Sequence, residues 1–180
     1  FKCENFQKVG AFKFRGACNA VLTLTKSQAE NGVATHSSGN HAQALALSAR
    51  IKGIPAYVVM PENAPKVKVE AVRNYGAEIT FCESTLESRE STLLEVVKRT
   101  SATIIHPYND SRIVAGQGTS ALEFLETNPD LDIILTPVGG GGLLSGTALS
   151  VKSIKPSIKV IGTEPEQAND AYKSFKAGKL

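Results

Sequence analysis

The sequence predicts an α/β protein, with parallel sheets that carry helices on both faces. Short β-branched, apolar runs recur at 33–36 (VATH), 56–60 (AYVVM), 78–82 (EITFC), 103–106 (TIIH), 133–138 (IILTPV) and 158–163 (IKVIGT). Longer stretches with apolar residues at helical spacing separate them, at 41–52, 65–75, 84–99, 112–127 and 143–154. Near-continuous apolar strands alternating with helices are the pattern of a parallel sheet covered on both sides. The punctuation agrees. Pro65 suits the first turn of its helix, and Gly76 stands where a left-handed C-terminal residue is expected. Pro107, Pro137 and Pro165 each close a strand.

Composition narrows the class. The chain has 180 residues, 42% hydrophobic and 21% charged, enough for one domain or two small ones with a buried core. The net charge of +3 is spread without a run of like charges, which argues against a nucleic-acid partner. No apolar stretch has the length of a bilayer span, so no membrane partner is expected. Cys3, Cys18 and Cys82 are odd in number and far apart, with no CxxC, and read as free thiols in a reducing, cytoplasmic setting. Phe1 to Glu4 read as a strand already under way, and the last helical stretch stops at Gly178-Lys179-Leu180. The expectation is an internal piece of a longer protein.

In open α/β sheets, ligands bind beyond the carboxyl ends of the strands. Segments 37–42, 106–110, 139–142 and 164–170 all fall at that edge. Gly139-Gly140-Gly141-Gly142 follows a strand and opens a helix. Four glycines cost backbone entropy, but they let backbone N–H groups approach an anion at a helix N-terminus. The tract lacks the Lys-Ser/Thr ending of a Walker loop and the spaced glycines of a dinucleotide fingerprint, so a small non-nucleotide phosphate fits it better. Lys13 lies between Phe12 and Phe14. Rings that screen an amine from water lower its pKa, and a neutral amine can attack a carbonyl. Alone, such a lysine reads as a surface residue with a packed stem. Beside a phosphate cradle, it points to a phosphorylated aldehyde.

Ser37-Ser38-Gly39-Asn40-His41-Ala42 holds five polar or backbone-exposing positions before a helix. One cap, such as Asn40, would serve a plain connection. The run suits a carboxylate held at the helix N-terminus. In Glu164-Pro165-Glu166-Gln167-Ala168-Asn169-Asp170, two carboxylates with carbonyls between them suit a hard divalent cation, or simply acids at a helix start.

Jointly, AFKFRG, SSGNHA and GGGG resemble the serine racemase and threonine/serine dehydratase family of fold-type II pyridoxal-phosphate enzymes, with the eukaryotic racemases nearest in pattern. The likeness runs over essentially the whole chain, including FKCENFQKVG, GIPAYVVMP and AGQGT. It implies a two-lobed, tryptophan synthase β-like α/β fold, with 33–110 as the small lobe and 1–32 and 111–180 as the large one. Lys13 would carry pyridoxal phosphate as a Schiff base and act as base on one face of the substrate Cα, with Ser38 as acid/base on the other. Asn40 would bond the ring hydroxyl, Phe12 would pack beside the ring, and Gly139, Gly140, Gly141 and Gly142 would hold the phosphate. Ser37, Ser38, Gly39, Asn40 and His41 would hold the substrate, with Arg89 contributing from the small lobe. Glu164, Asp170 and the Ala168 carbonyl would bind Mg2+ or Ca2+ as a structural, activating site. The resemblance further implies ATP as an effector, a homodimer, and serine or threonine as substrate.

The pattern departs from the family in places. Family members extend beyond both ends, and the residue that faces the pyridine nitrogen lies outside this chain. Ala11 replaces a common serine, and Tyr108 stands where many racemases carry Asn. The expected activity is interconversion of L- and D-serine with β-elimination to pyruvate and ammonia. Its rivals are an L-threonine, L-serine or 3-hydroxyaspartate dehydratase, a silent binding fragment, and a Rossmann module that the glycine pattern disfavours.

Overall fold

The computed structural model describes residues 1–179. Two 3-10 turns, Glu4–Phe6 and Lys8–Gly10, precede helices α1 (Lys13–Leu22) and α2 (Lys26–Ala29). There follow β1 (Val33–His36), α3 (Asn40–Lys52), β2 (Ala56–Pro61), α4 (Lys66–Asn74), β3 (Glu78–Cys82), α5 (Leu86–Thr100) and β4 (Thr103–Ile104). The chain continues through α6 (Ser111–Thr127), β5 (Ile133–Pro137), α7 (Gly142–Ile154), β6 (Lys159–Thr163) and α8 (Asp170–Ala177). Among the described residues, no helix is long and apolar enough to cross a membrane.

The strands form two parallel sheets, one ordered β3-β2-β1-β4 and one pairing β5 with β6. Adjacent strand residues point to opposite faces, and the cores follow that alternation. Val33, Val58 and Met60 pack with Leu45 of α3, Val72 of α4 and Val21 of α1. On the other face, Ala34 and Val59 meet Leu93 and Val96 of α5. The second sheet places Ile134 against Leu125 of α6 and Val151 of α7. Full burial of a side chain such as Leu45 or Met60 contributes about 1.5–3 kcal/mol.

Helix α6 joins the two halves, because it packs on α1 along one side and on α7 along the other. Glycine permits both approaches. A Cβ at Gly116 would lie 2.6 Å from the Arg15 carbonyl oxygen, and one at Gly146 would lie 2.4 Å from that of Val114.

Several expectations need correction. Residues 1–4 are not a strand. The segment enters a 3-10 turn whose Glu4 carboxylate holds the Arg15 guanidinium, so a polar clamp rather than a ladder fixes it. The strand expected over 103–106 pairs only through Ile104, since the chain then turns to carry Pro107 toward α1. Helix α1 was not among the stretches expected to be helical. Its face is formed by Gly16, Ala17 and Ala20, small residues whose helical state depends on the neighbours they touch.

Candidate active site

Lys13 is the first residue of α1, and its half-buried Nζ donates to the Pro107 carbonyl oxygen at 2.9 Å. Burial holds the amine below the ordinary lysine pKa, as the sequence implied. Only one of the two expected rings does the screening. The Phe12 centroid is 5.3 Å from Nζ, whereas Phe14, one step along the helix, turns into a core with Ala17 and Ala44.

The turn after β4 is built to reach both sides of the site. His106 Nδ1 accepts from the backbone N–H groups of Tyr108 (3.3 Å) and Asn109 (2.9 Å), which makes it the unprotonated nitrogen. Asp110 accepts from Arg112 N–H and pairs with the Arg112 guanidinium, fixing the start of α6. Between these anchors, Pro107 presents its carbonyl to Lys13, and Tyr108 lays its ring on the glycine tract. A Cβ at Gly140 would come 2.3 Å from that ring, and one at Gly142 would come 3.2 Å from the Tyr108 backbone. The edges of the two sheets therefore meet at Tyr108, a residue that the sequence reading marked only as a departure from pattern.

The tract itself is a bare helix start. Gly139 and Gly141 have φ of 50° and 84°, in the left-handed region. No side chain caps α7, and no acid lies in its first turn. A shallow cavity of about 720 Å3 opens over Gly139 to Gly141, with Asp170 and Phe175 of α8 on its far side; Lys13 and Ser38 do not line it. Gly141 N–H donates to the Val138 carbonyl oxygen at 2.9 Å, so it is the remaining N–H groups of the tract, at a helix start with no acid in its first turn, that suit a phosphate. The residues present thus fit pyridoxal phosphate, with an amine available for its aldehyde.

In the loop after β1, Asn40 is not the cap that a plain connection would use. It is the exposed first residue of α3, and the cap position falls on Gly39, with no side-chain hydrogen bond. Ser37 Oγ accepts from Gly39 N–H at 3.3 Å, and the Ser38 hydroxyl has no partner among the described residues. His41 is 2% exposed. Its Nε2 is 3.3 Å from the Ile105 carbonyl oxygen, so that nitrogen carries the proton and Nδ1 is left buried without a partner. Burial first, then the Lys13 charge, brings its pKa down to about 3. His36 stands edge-on to His106 at 6.4 Å, which gathers all three histidines of the chain here. Arg89 is half-buried, and its Nε lacks a partner. No hydrogen bond joins Ser37, Ser38, Asn40 or Arg89 to Lys13 or to the glycine tract.

Glu164 accepts from the N–H groups of Ala171 (3.2 Å) and Tyr172 (2.8 Å), which makes it the anion at the start of α8. Each of its oxygens keeps a lone pair. Asp170 is exposed at that helix start, and Asn169 Oδ1 is buried without a partner. Among the described residues, no three His, Cys, Asp or Glu side chains gather as metal ligands.

Comparison with known proteins adds to this geometry. The profile of the family described as "Pyridoxal-phosphate dependent enzyme" matches residues 1–180. The chain is 58% identical over 180 residues to a serine racemase of Arabidopsis thaliana, covering all of this chain and 54% of that protein. It is 55% identical over 178 residues to a β-hydroxyaspartate dehydratase of Paracoccus denitrificans, covering 99% of this chain and 56% of that one. The crystal structure of serine racemase from Dictyostelium discoideum superposes with a TM-score of 0.95 at 50% identity, over 99% of this chain and 58% of that one. The chain thus spans about half the length of the relatives it matches.

Proposed function

The chain belongs to the pyridoxal-phosphate dependent enzymes, and from that premise we propose that the intact protein is a serine racemase that also eliminates water from serine. The observation that carries this reading is a desolvated amine, Lys13, held by the same turn that lays Tyr108 across a glycine cradle. When bound, pyridoxal phosphate supplies an electron sink that lets the Cα–H bond of an amino acid ionise.

The residues of this chain divide the remaining work. The N–H groups of Gly139, Gly140 and Gly142 would hold the phosphate, around a turn that Gly141 N–H closes on Val138; Phe12 would flank the ring and Asn40 would bond its hydroxyl. The loop and first turn from Ser37 to His41 take the substrate carboxylate, and Arg89 supplies a cation from α5. Lys13 accepts the Cα proton on one face. Ser38 returns a proton on the other face, and its oxygen then recovers a proton from solvent. Loss of the β-hydroxyl, protonated as it leaves as water, competes with that return and leads to pyruvate and ammonia. A small lobe of 33–110 closing on a large lobe of 1–32 and 111–180 would exclude water.

Glu164, Asp170 and the Ala168 carbonyl form an all-oxygen set suited to Mg2+ or Ca2+ as a structural ion. A homodimer, ATP as effector and a cytoplasmic setting complete the proposal. A dehydratase acting on 3-hydroxyaspartate, serine or threonine is the second reading, favoured by the 55% identity to the Paracoccus enzyme.

Borohydride reduction of the intact protein, followed by peptide mapping, should place the label on Lys13. Chiral analysis and a pyruvate assay on Ser38→Ala should then show racemisation lowered about 100-fold or more, with elimination from L-serine largely kept. A label elsewhere overturns the assignment of the amine, racemisation untouched by Ser38→Ala overturns the two-base assignment, and elimination without racemisation in the wild type leaves the dehydratase reading.

A further inference from the structure

Gln117 sits inside α6 with 0% exposure. Its Oε1 accepts from the backbone N–H of Gly16 at 3.2 Å. Gly16 lies in the opening turn of α1, one turn past the cap residue Phe12, which contributes no side-chain hydrogen bond. Arg15 N–H reaches back to the Phe12 carbonyl oxygen at 3.0 Å, and Phe14 N–H to that of Ala11 at 3.3 Å. Gly16 N–H, the first that α1 can bond to the cap carbonyl of Phe12, is thus shared with a side-chain acceptor from another helix, which ties the opening turn of α1 to α6.

The neighbouring positions are shaped around this amide. A Cβ at Gly16 would lie 2.6 Å from Gln117 Nε2, and one at Gly116 would lie 2.6 Å from the Gly16 Cα. Gln117 Nε2 is buried and has no partner among the described residues. An unpartnered amide in a core is a cost that a leucine of similar volume avoids, so packing alone does not account for a glutamine here. The next residue of α6, Gly118, faces the opposite way, and a Cβ there would lie 2.8 Å from the Gly146 carbonyl oxygen of α7, the helix that opens with the glycine tract. One helix therefore touches the backbone of both the lysine-bearing helix and the phosphate-holding helix.

We infer that Gln117 is the positioning residue for Lys13: by holding the Gly16 N–H it fixes the first turn of α1 on α6, and so sets the amine at one distance from the glycine tract. The inference rests on the proposed Schiff-base role of Lys13 and goes beyond it by naming what aims the amine. Gln117 touches neither substrate nor cofactor and acts through α1.

The test uses the intact protein loaded with pyridoxal phosphate, with borohydride mapping of the wild type as control. Gln117→Met keeps the volume and removes the acceptor. Its kcat for serine should fall about tenfold or more, as expected for a misplaced reacting group, while KM stays within about threefold. The pH midpoint of the visible Schiff-base band should move by about half a unit or more. Gln117→Glu, neutral when buried and still offering a carbonyl, should return kcat to within about threefold of wild type. A Met variant with wild-type kcat and an unmoved midpoint overturns the inference. If Gln117→Met fails to fold, Gln117→Glu decides, and a kcat that falls well beyond threefold despite the retained carbonyl acceptor overturns the inference. A wild-type label away from Lys13 instead defeats the functional reading on which the inference stands.

Discussion

The helices of this chain begin in two different ways. Three of them carry their own caps: Thr25 with Gln28 forms a capping box on α2, Thr85 accepts from Ser88 N–H at α5, and Asp110 accepts from Arg112 N–H at α6. Four others, α1, α3, α4 and α7, start at Phe12, Gly39, Pro65 and Gly141 with no side-chain hydrogen bond and no acid in the first turn. A side-chain cap contributes about 1 kcal/mol, and the site helices omit it. Two of the bare starts are the glycine tract and the SSGNHA loop. A third bears Lys13, and the fourth, α4, brings Lys68 Nζ to 3.3 Å from where a Gly39 Cβ would stand. A helix start left without an internal anion has the N–H groups and the positive dipole end available for an external one. The stability omitted at these ends is what allows a ligand to complete them.

Closing one bare start is the strongest way to break this contrast. Gly39→Asp gives α3 the cap that its capped counterparts have and places a carboxylate beside Lys68. Denaturant unfolding should show a gain of a few tenths of a kcal/mol, while KM for serine rises about 100-fold because the loop already holds an anion. Unchanged KM would mean that the start of α3 is not the carboxylate site.

The second expectation concerns the buried imidazole on that same start. His41 is held at about 3 in the folded chain, against 6.5 when unfolded. Its contribution to stability is complete above pH 6.5 and is lost as pH falls from there toward 3, because the unfolded chain takes up the proton first. Unfolding free energy should drop by roughly 1.4 kcal/mol per pH unit below that point. His41→Gln should flatten this slope between pH 6.5 and 5, and a slope that persists in the variant assigns it to other groups.

The smallest effect belongs to the capped side. Thr85→Ala should cost about 1 kcal/mol of stability and leave the Schiff-base band and kcat unchanged. A loss of cofactor binding there would erase the distinction between the two kinds of helix start.

Much of the strand pattern was legible, because period and turn chemistry are local. β1 and β3 fall on the residues expected, and the other strands differ at their ends. Gly76 takes φ of 89°, in the left-handed region expected of it. The site was legible as segments, since Lys13, SSGNHA and GGGG each break a local rule. Their contacts were not. Nothing local tells that Phe14 turns into the core while Phe12 stays by the amine, or that Glu164 serves the N–H groups of α8.

The sequence by itself determined the alternation of strand and helix, the bare helix starts and the likeness to a pyridoxal-phosphate family, because these depend on residue type and spacing along the chain. The tertiary structure decided that Tyr108 meets Gly140, that Pro107 holds Lys13 and that Gln117 reaches Gly16. Those pairs lie between about 30 and 100 residues apart in sequence, and burial and close helix packing choose such partners only after the sheets have formed.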